Sequence, residues 1–147
     1  MPGERILVVD DEERMLQLLD KLLVGEGYEV RTASSADEAL RILGDTDYNL
    51  VISDVRMPGI DGMTLLRTLG EQGSSATVIL MTAYASVTSA VEAIQAGAFD
   101  YLTKPFKIDE MLLAVRKSLE SHHLRREVKS LRKEVHDKYG LEGIIGK

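Results

Sequence analysis

The run Asn49-Leu50-Val51-Ile52-Ser53-Asp54, followed by Val55-Arg56-Met57-Pro58-Gly59-Ile60-Asp61-Gly62, decides how the rest of the chain is read. An apolar segment of strand length ends abruptly in a carboxylate and then in a Pro/Gly-rich loop, which predicts Asp54 at the carboxyl edge of a buried strand. Open α/β sheets hold their sites at that edge. Taken alone, an aspartate there could equally satisfy the amides of its own loop, so the segments on either side have to decide.

Toward the amino terminus, Ile6 to Val9 is a second apolar run closed by acids, Asp10-Asp11. Met15, Leu18, Leu19, Leu22 and Leu23 follow at helical spacing and stop at Gly25 and Gly27. Tyr28 to Thr32 alternates weakly as a strand, and Ser35 with Glu38 predicts a capping box for a helix carrying Ala39, Leu40, Ile42 and Leu43. Toward the carboxyl terminus, Met63, Leu65, Leu66 and Leu69 predict a helix, and Thr77 to Met81 a buried strand ending at Thr82-Ala83. Val87, Val91 and Ile94 predict another helix, stopped at Gly97, before a short strand from Phe99 to Thr103 that ends in Lys104-Pro105. A fifth helix begins near Ile108. Strands alternating with helices, without a hairpin signature, call for a doubly wound α/β domain: a five-stranded parallel sheet with helices on both faces.

The whole chain has 147 residues, 44% hydrophobic and 29% charged, enough for one domain with a sizeable core and an appendage. Absence of cysteine excludes disulfides and thiolate metal sites and is compatible with a reducing cytoplasm. The amino-terminal apolar run is too short for a secretion signal, and no run approaches the roughly 20 residues of a membrane span. A net charge of −6 argues against nonspecific nucleic-acid binding by the chain as a whole.

In such a sheet, four strand ends would carry Asp10-Asp11, Asp54, Thr82-Ala83 and Lys104-Pro105 into one crevice. Each has an ordinary explanation by itself: Asp10-Asp11 as a helix N-cap pair, Thr82 as a structural hydroxyl, Lys104 as a solvated cation. Together they suggest a site. Clustered carboxylates repel unless a cation neutralises them, and oxygen-only ligation suits magnesium. With the metal present a carboxylate can attack phosphorus and form an acyl phosphate. Thr82 and Lys104 would then hold phosphoryl oxygens.

With these residues in order, the chain from Arg5 to about Leu119 resembles the receiver domain of two-component response regulators. The resemblance rests on Val8-Val9-Asp10-Asp11-Glu12, on Asp54 with Met57-Pro58-Gly59-Ile60-Asp61-Gly62, on Thr82-Ala83, and on Tyr101-Leu102-Thr103-Lys104-Pro105-Phe106. It implies a flavodoxin-like sheet of order 2-1-3-4-5. It also implies that Asp54 is both the phospho-acceptor and a magnesium ligand, that Asp11 ligates magnesium directly and Asp10 through water, and that the backbone carbonyl of Arg56 completes the protein's share of the metal shell. Lys104 would contact the phosphoryl group through a strand end whose Lys104-Pro105 bond is cis. Thr82 and Tyr101 would form the switch, Thr82 swinging to the phosphoryl oxygen and Tyr101 moving inward, while Ala83 keeps the approach open. Arg56 and Tyr84 occupy two positions thought to tune hydrolysis.

Beyond Lys107, the apolar residues Met111, Leu112, Val115 and Leu119 give way to Leu124, Val128, Leu131 and Val135, spaced four, three and four apart. The second set is an a/d seam, out of register with the first. A basic DNA-contacting helix and a solvated linker are alternatives, but interspersed acids and the absence of interleaved aromatics favour a short parallel coiled coil. Residues 1–120 are thus expected to form the receiver, 121–139 a helical linker, and 140–147 the start of a further domain. The helix followed by Tyr139-Gly140 and Ile144-Ile145-Gly146 resembles the junction before the ATPase domain in NtrC-like activators of sigma-54 RNA polymerase.

The combined expectation is a cytoplasmic, magnesium-dependent receiver that takes phosphoryl from a sensor histidine kinase and is not a turnover enzyme. It would form a homodimer through the fourth helix, fifth strand and fifth helix, the linker, or both, and phosphorylation would change how that dimer packs. The sign of the change stays open. DNA and sigma-54 polymerase would be reached only through domains outside this chain, and no membrane is involved. Two alternatives remain: a structural dimerisation module, and an aspartyl-nucleophile phosphohydrolase, whose second acid two residues after the nucleophile is replaced here by Arg56.

Overall fold

A computed structural model describes the backbone of residues 3–139 and the side chains up to residue 124. Five strands alternate with five helices: β1 (Arg5–Val9), α1 (Glu13–Gly25), β2 (Glu29–Ala33), α2 (Ala36–Asp45), β3 (Leu50–Asp54), α3 (Gly62–Glu71), β4 (Thr77–Thr82), α4 (Val87–Gln95), β5 (Asp100–Thr103) and α5 (Ile108–Tyr139). The strands pair in parallel in the order β2-β1-β3-β4-β5. This is the expected doubly wound sheet.

Alternation along the central strands splits the core in two, because successive side chains of a strand point to opposite faces. Ile6, Val8, Leu50, Ile52, Ile79 and Met81 pack with Leu16, Leu19 and Leu23 of α1 and Met111, Val115 and Leu119 of α5. Leu7, Val9, Val51, Val78 and Leu80 pack on the other face with Ala39 and Ile42 of α2, Leu65, Leu66 and Leu69 of α3, and Ala93 of α4. Each fully buried large aliphatic side chain contributes about 1.5–3 kcal/mol. These two cores fix the register of the strands and therefore the positions of their ends.

Local signals act as the sequence suggests, with two differences. Ser35 caps α2 by accepting from the Glu38 N–H, but Glu38 reaches back to the Ser34 amide, one residue earlier than a standard capping box requires. The apolar residues of α4 lie on its outer face: Val87, Val91 and Ile94 are 82%, 48% and 50% exposed, and Ala93 is the buried residue. Helical periodicity located this element, yet it marked a surface and not the core.

α5 continues as one helix through Tyr139. Its buried side, Met111, Ala114, Val115, Ser118, Leu119 and His122, covers the sheet, whereas Leu124 is 61% exposed. Val128, Leu131 and Val135 of the expected seam lie beyond the described side chains, and residues 140–147 lie outside the described residues altogether. Among the described residues, no helix is long and apolar enough to cross a membrane.

Candidate functional site

The order of the sheet reverses between β1 and β3, which places helices on opposite faces and opens a crevice at the carboxyl ends of those strands. Asp10 follows β1 and Asp54 ends β3. Backbone bonds tie the neighbouring strand ends together: Val55 N–H donates to Met81 O at 2.9 Å, and Lys104 N–H to Thr82 O at 2.7 Å. The Lys104-Pro105 peptide is cis, as the resemblance implies.

Asp10, Asp11 and Asp54 converge, with one oxygen from each lying within 4.8 Å of the others. Asp10 and Asp54 are buried, and Asp11 faces solvent. Lys104 Nζ enters from the β5 side, 2.8 Å from Asp10 Oδ2, 3.4 Å from Asp54 Oδ2 and 3.5 Å from Glu12 Oε1. Asp10 does not cap α1. The N-cap is Glu12, without a side-chain bond, and Asp10 Oδ1 accepts from its N–H at 2.9 Å.

Burial, followed by repulsion from Asp10, pushes the Asp54 carboxyl above its ordinary value, against the opposing charge and hydrogen bond of Lys104. Burial alone would lower Lys104, but its bond to Asp10 and the charges of Asp10 and Asp54 outweigh that and raise it. The site therefore holds more negative charge than its lysine neutralises. Magnesium takes oxygen ligands in an octahedron at about 2.0–2.1 Å, which places neighbouring ligand oxygens about 2.9 Å apart and opposite ones about 4.1 Å. Three converging carboxylates supply the charge and the oxygen donors that such an ion takes.

Thr82, at the buried end of β4, turns its hydroxyl oxygen toward the Tyr84 amide, accepting at 3.0 Å. Ala83 beside it is exposed. Tyr101 on β5 is half-buried, and its phenol lies 2.6 Å from Ser89 Oγ on α4. The fold thus gathers the three aspartates and Lys104 directly, and sets Thr82 at the end of β4 and Tyr101 on β5 against α4.

Two features went unread in the sequence. Glu12 reaches Lys104, although nothing distinguishes it from its acidic neighbours beforehand. Arg56, directed out of the β3–α3 loop, lays its guanidinium 4.3 Å from the centroid of the Tyr84 ring, a cation–π contact between two exposed residues. Both positions were identified singly, but their contact depends on how two loops meet.

Comparison with known proteins bears on this arrangement. Residues 6–116 match the family described as the response regulator receiver domain. The chain is 39% identical over 127 residues to the regulatory protein AtoC of Escherichia coli, covering 86% of the chain and 28% of AtoC. It is 35% identical over 126 residues to the DNA-binding transcriptional regulator NtrC of Salmonella typhimurium, covering 86% of the chain and 27% of that protein. Among solved structures, NtrX of Brucella abortus superposes with a TM-score of 0.82 at 39% identity, over 89% of this chain and 30% of that one. A beryllofluoride-activated NtrC4 receiver domain dimer gives 0.77 at 36% identity, covering 80% and 98%. The chain thus spans little more than a quarter of the length of AtoC and of this NtrC. Receiver domains bind magnesium in an acidic pocket and partner with histidine kinases, and this chain brings three aspartates and a lysine together at the corresponding edge of its sheet. The chain belongs to the response regulator receiver family and is related to the NtrC-like activators.

Proposed function

We propose that Asp54 of this chain is phosphorylated by a sensor histidine kinase and that the modification changes how two copies pack. The observation that carries this reading is the meeting of Asp10, Asp11 and Asp54 beside Lys104 at the switch point of the sheet. An Asp54 carboxylate oxygen forms the bond to phosphorus as the bond from phosphorus to the kinase imidazole nitrogen breaks. The bonding pair leaves on that nitrogen.

Asp11, Asp54 and the Arg56 carbonyl would hold a magnesium ion directly, and Asp10 would hold it through water. Bound there, it would supply positive charge against the carboxylates and against the charge that develops on the phosphoryl oxygens. Lys104 gives Asp54 and the incoming phosphoryl group a fixed positive charge, exchanging part of its contact with Asp10 to do so. Ala83 leaves the approach open. Arg56 occupies the place where an aspartyl phosphohydrolase would carry its second acid, which disfavours turnover hydrolysis. The side chain that relays the change is Thr82, whose hydroxyl exchanges the Tyr84 amide for a phosphoryl oxygen while Tyr101 moves inward.

The cytoplasm is the compartment in which the kinase would meet it. Residues 1–120 act as the receiver and residues 121–139 as the linker through which a homodimer forms, together with or in place of the surface of α4, β5 and α5. Any sigma-54 polymerase and DNA contacts belong to domains outside this chain. The test is acetyl phosphate with magnesium, read by intact mass, and sedimentation with beryllofluoride. One phosphoryl group on the wild type, none on Asp54→Asn, and an Asp54-dependent change of association support the reading. An unmodified chain whose dimer ignores the mimic leaves a structural dimerisation module instead.

A further inference from the structure

The first turn of α4 is closed by two serines. Ser86 Oγ accepts from the Ser89 N–H at 3.0 Å, and Ser89 Oγ accepts from the Ser86 N–H at 3.1 Å, a reciprocal capping box. The third helical position in such a box is usually Glu or Gln, whose length carries the acceptor back over the turn. Serine is shorter, so its oxygen stays close to the helix, and here it also lies beside β5. The Tyr101 phenol is 2.6 Å away, nearer than any of its partners in the cap.

Ser89 Oγ is therefore shared. Besides Tyr101, it has Ser86 Oγ at 3.0 Å, the Ser86 N–H at 3.1 Å and the Ser86 carbonyl at 3.2 Å. A hydroxyl offers one proton and two lone pairs, three bonds in all. Four neighbours compete for three places, and Ser86 alone can fill them if Tyr101 leaves.

We infer that Ser89 is a positioning residue of the switch, a latch that holds Tyr101 against the first turn of α4 before phosphorylation and releases it at low cost. This rests on the reading of Asp54 as phospho-acceptor with Thr82 and Tyr101 as relay. When Tyr101 moves inward its bond to Ser89 breaks, and the Ser89 hydroxyl turns wholly to Ser86. The cap of α4 closes without a partner from β5, so the helix and its exposed Val87, Val91 and Ile94 are no longer tied to the sheet at that point. The pairing thus biases the resting conformation through a single side chain that never approaches the phosphoryl group.

The test is calorimetric titration of the 147-residue chain with beryllofluoride and magnesium. The latch bond exists only in the resting state, so losing it favours the bound state. Ser89→Ala and Tyr101→Phe should each tighten binding by roughly two- to twelve-fold, the range for one neutral hydrogen bond. Because both remove the same bond, the double variant should gain no more than either single one. Ser89→Thr keeps the hydroxyl and should match the wild type. Ser86→Ala removes the cap oxygen and one of the partners to which Ser89 turns on release, so it should lower the melting temperature and, unlike Ser89→Ala, should not tighten binding.

Single variants that stay within two-fold of the wild type, or gains that multiply in the double variant, overturn the latch while leaving the phospho-acceptor reading intact. A wild type that does not bind the mimic, or an Asp54→Asn variant that binds equally well, overturns both.

Discussion

Lys104 Nζ lies nearer to Asp10, at 2.8 Å, than to Asp54, at 3.4 Å, although 94 positions of sequence separate it from Asp10. The lysine thus serves first as counter-charge to the most deeply buried acid of the site. Removing it leaves Asp10 with the Glu12 amide and two acidic neighbours. Lys104→Met keeps the aliphatic stem but not the charge, and should cost about 1–3 kcal/mol of stability without metal. Urea unfolding checks this. Magnesium should recover more stability in the variant than in the wild type, because the ion supplies the charge that was lost. Equal midpoints in EDTA would show that the pair contributes nothing net.

The pH dependence follows from Asp54, whose carboxyl is held above its ordinary value of 3.8 by burial and then by Asp10. A carboxyl raised on folding keeps its proton longer in the native state than in the unfolded one. Its favourable contribution is complete below the unfolded value and is lost as pH rises through the folded value. At neutral pH the ionised Asp54 is therefore a cost. Asp54→Asn should melt higher than the wild type at pH 7 in EDTA, and the difference should shrink as pH falls to 4 and below. Magnesium should narrow the gap at pH 7 by stabilising the wild type alone. A variant less stable than the wild type at pH 7 without metal would contradict this account.

Gly62 is held to glycine by close approach and not by an unusual backbone angle. A Cβ there would overlap the Asp54 carbonyl oxygen and lie 2.9 Å from Val55 Cα, both of them backbone. The Gly62 amide also donates to Val55 O at 2.8 Å, stitching the start of α3 to the loop that leaves β3. Gly62→Ala must move the end of β3 or the first turn of α3, at about 1–3 kcal/mol. Phosphorylation by acetyl phosphate should slow as well, because Asp54 moves with its carbonyl. Slowed phosphorylation with an unchanged melting temperature would show that the loop, and not the packing, absorbs the added methyl.

The central strands were legible because burial on both faces leaves them no sequence freedom: Leu50 to Ile52 and Val78 to Met81 are apolar without interruption. The convergence of Asp10, Asp54 and Lys104 followed from topology, since each stands at a strand end on the same edge. Periodicity gave the position of α4 but not its orientation. Val87, Val91 and Ile94 share one side of a helix, and nothing local states whether that side meets the sheet or the solvent. Small Ala93 carries the contact with the core. The division of Lys104 among Asp10, Asp54 and Glu12, and the meeting of Ser89 with Tyr101, depend on ångström-scale differences between elements distant in sequence. Residue type and spacing do not encode such differences.

The last prediction concerns the linker. The buried stripe of α5 runs through Met111, Val115 and Leu119 to His122, and Leu124 falls outside it, exposed to solvent. An exposed leucine on a single chain contributes little, so Leu124→Glu should leave the monomer within about 0.5 kcal/mol of wild-type stability. In a parallel coiled coil the same residue meets its copy across the axis, and each leucine that is buried contributes about 1.5–3 kcal/mol. Two charges placed at that layer should then weaken self-association by roughly ten-fold or more, each factor of ten being about 1.4 kcal/mol. Sedimentation equilibrium over a range of concentrations separates the two effects. An unaltered association constant would place the contact on the apolar outer face of α4, where Ile94→Glu should then have the effect that Leu124→Glu lacked.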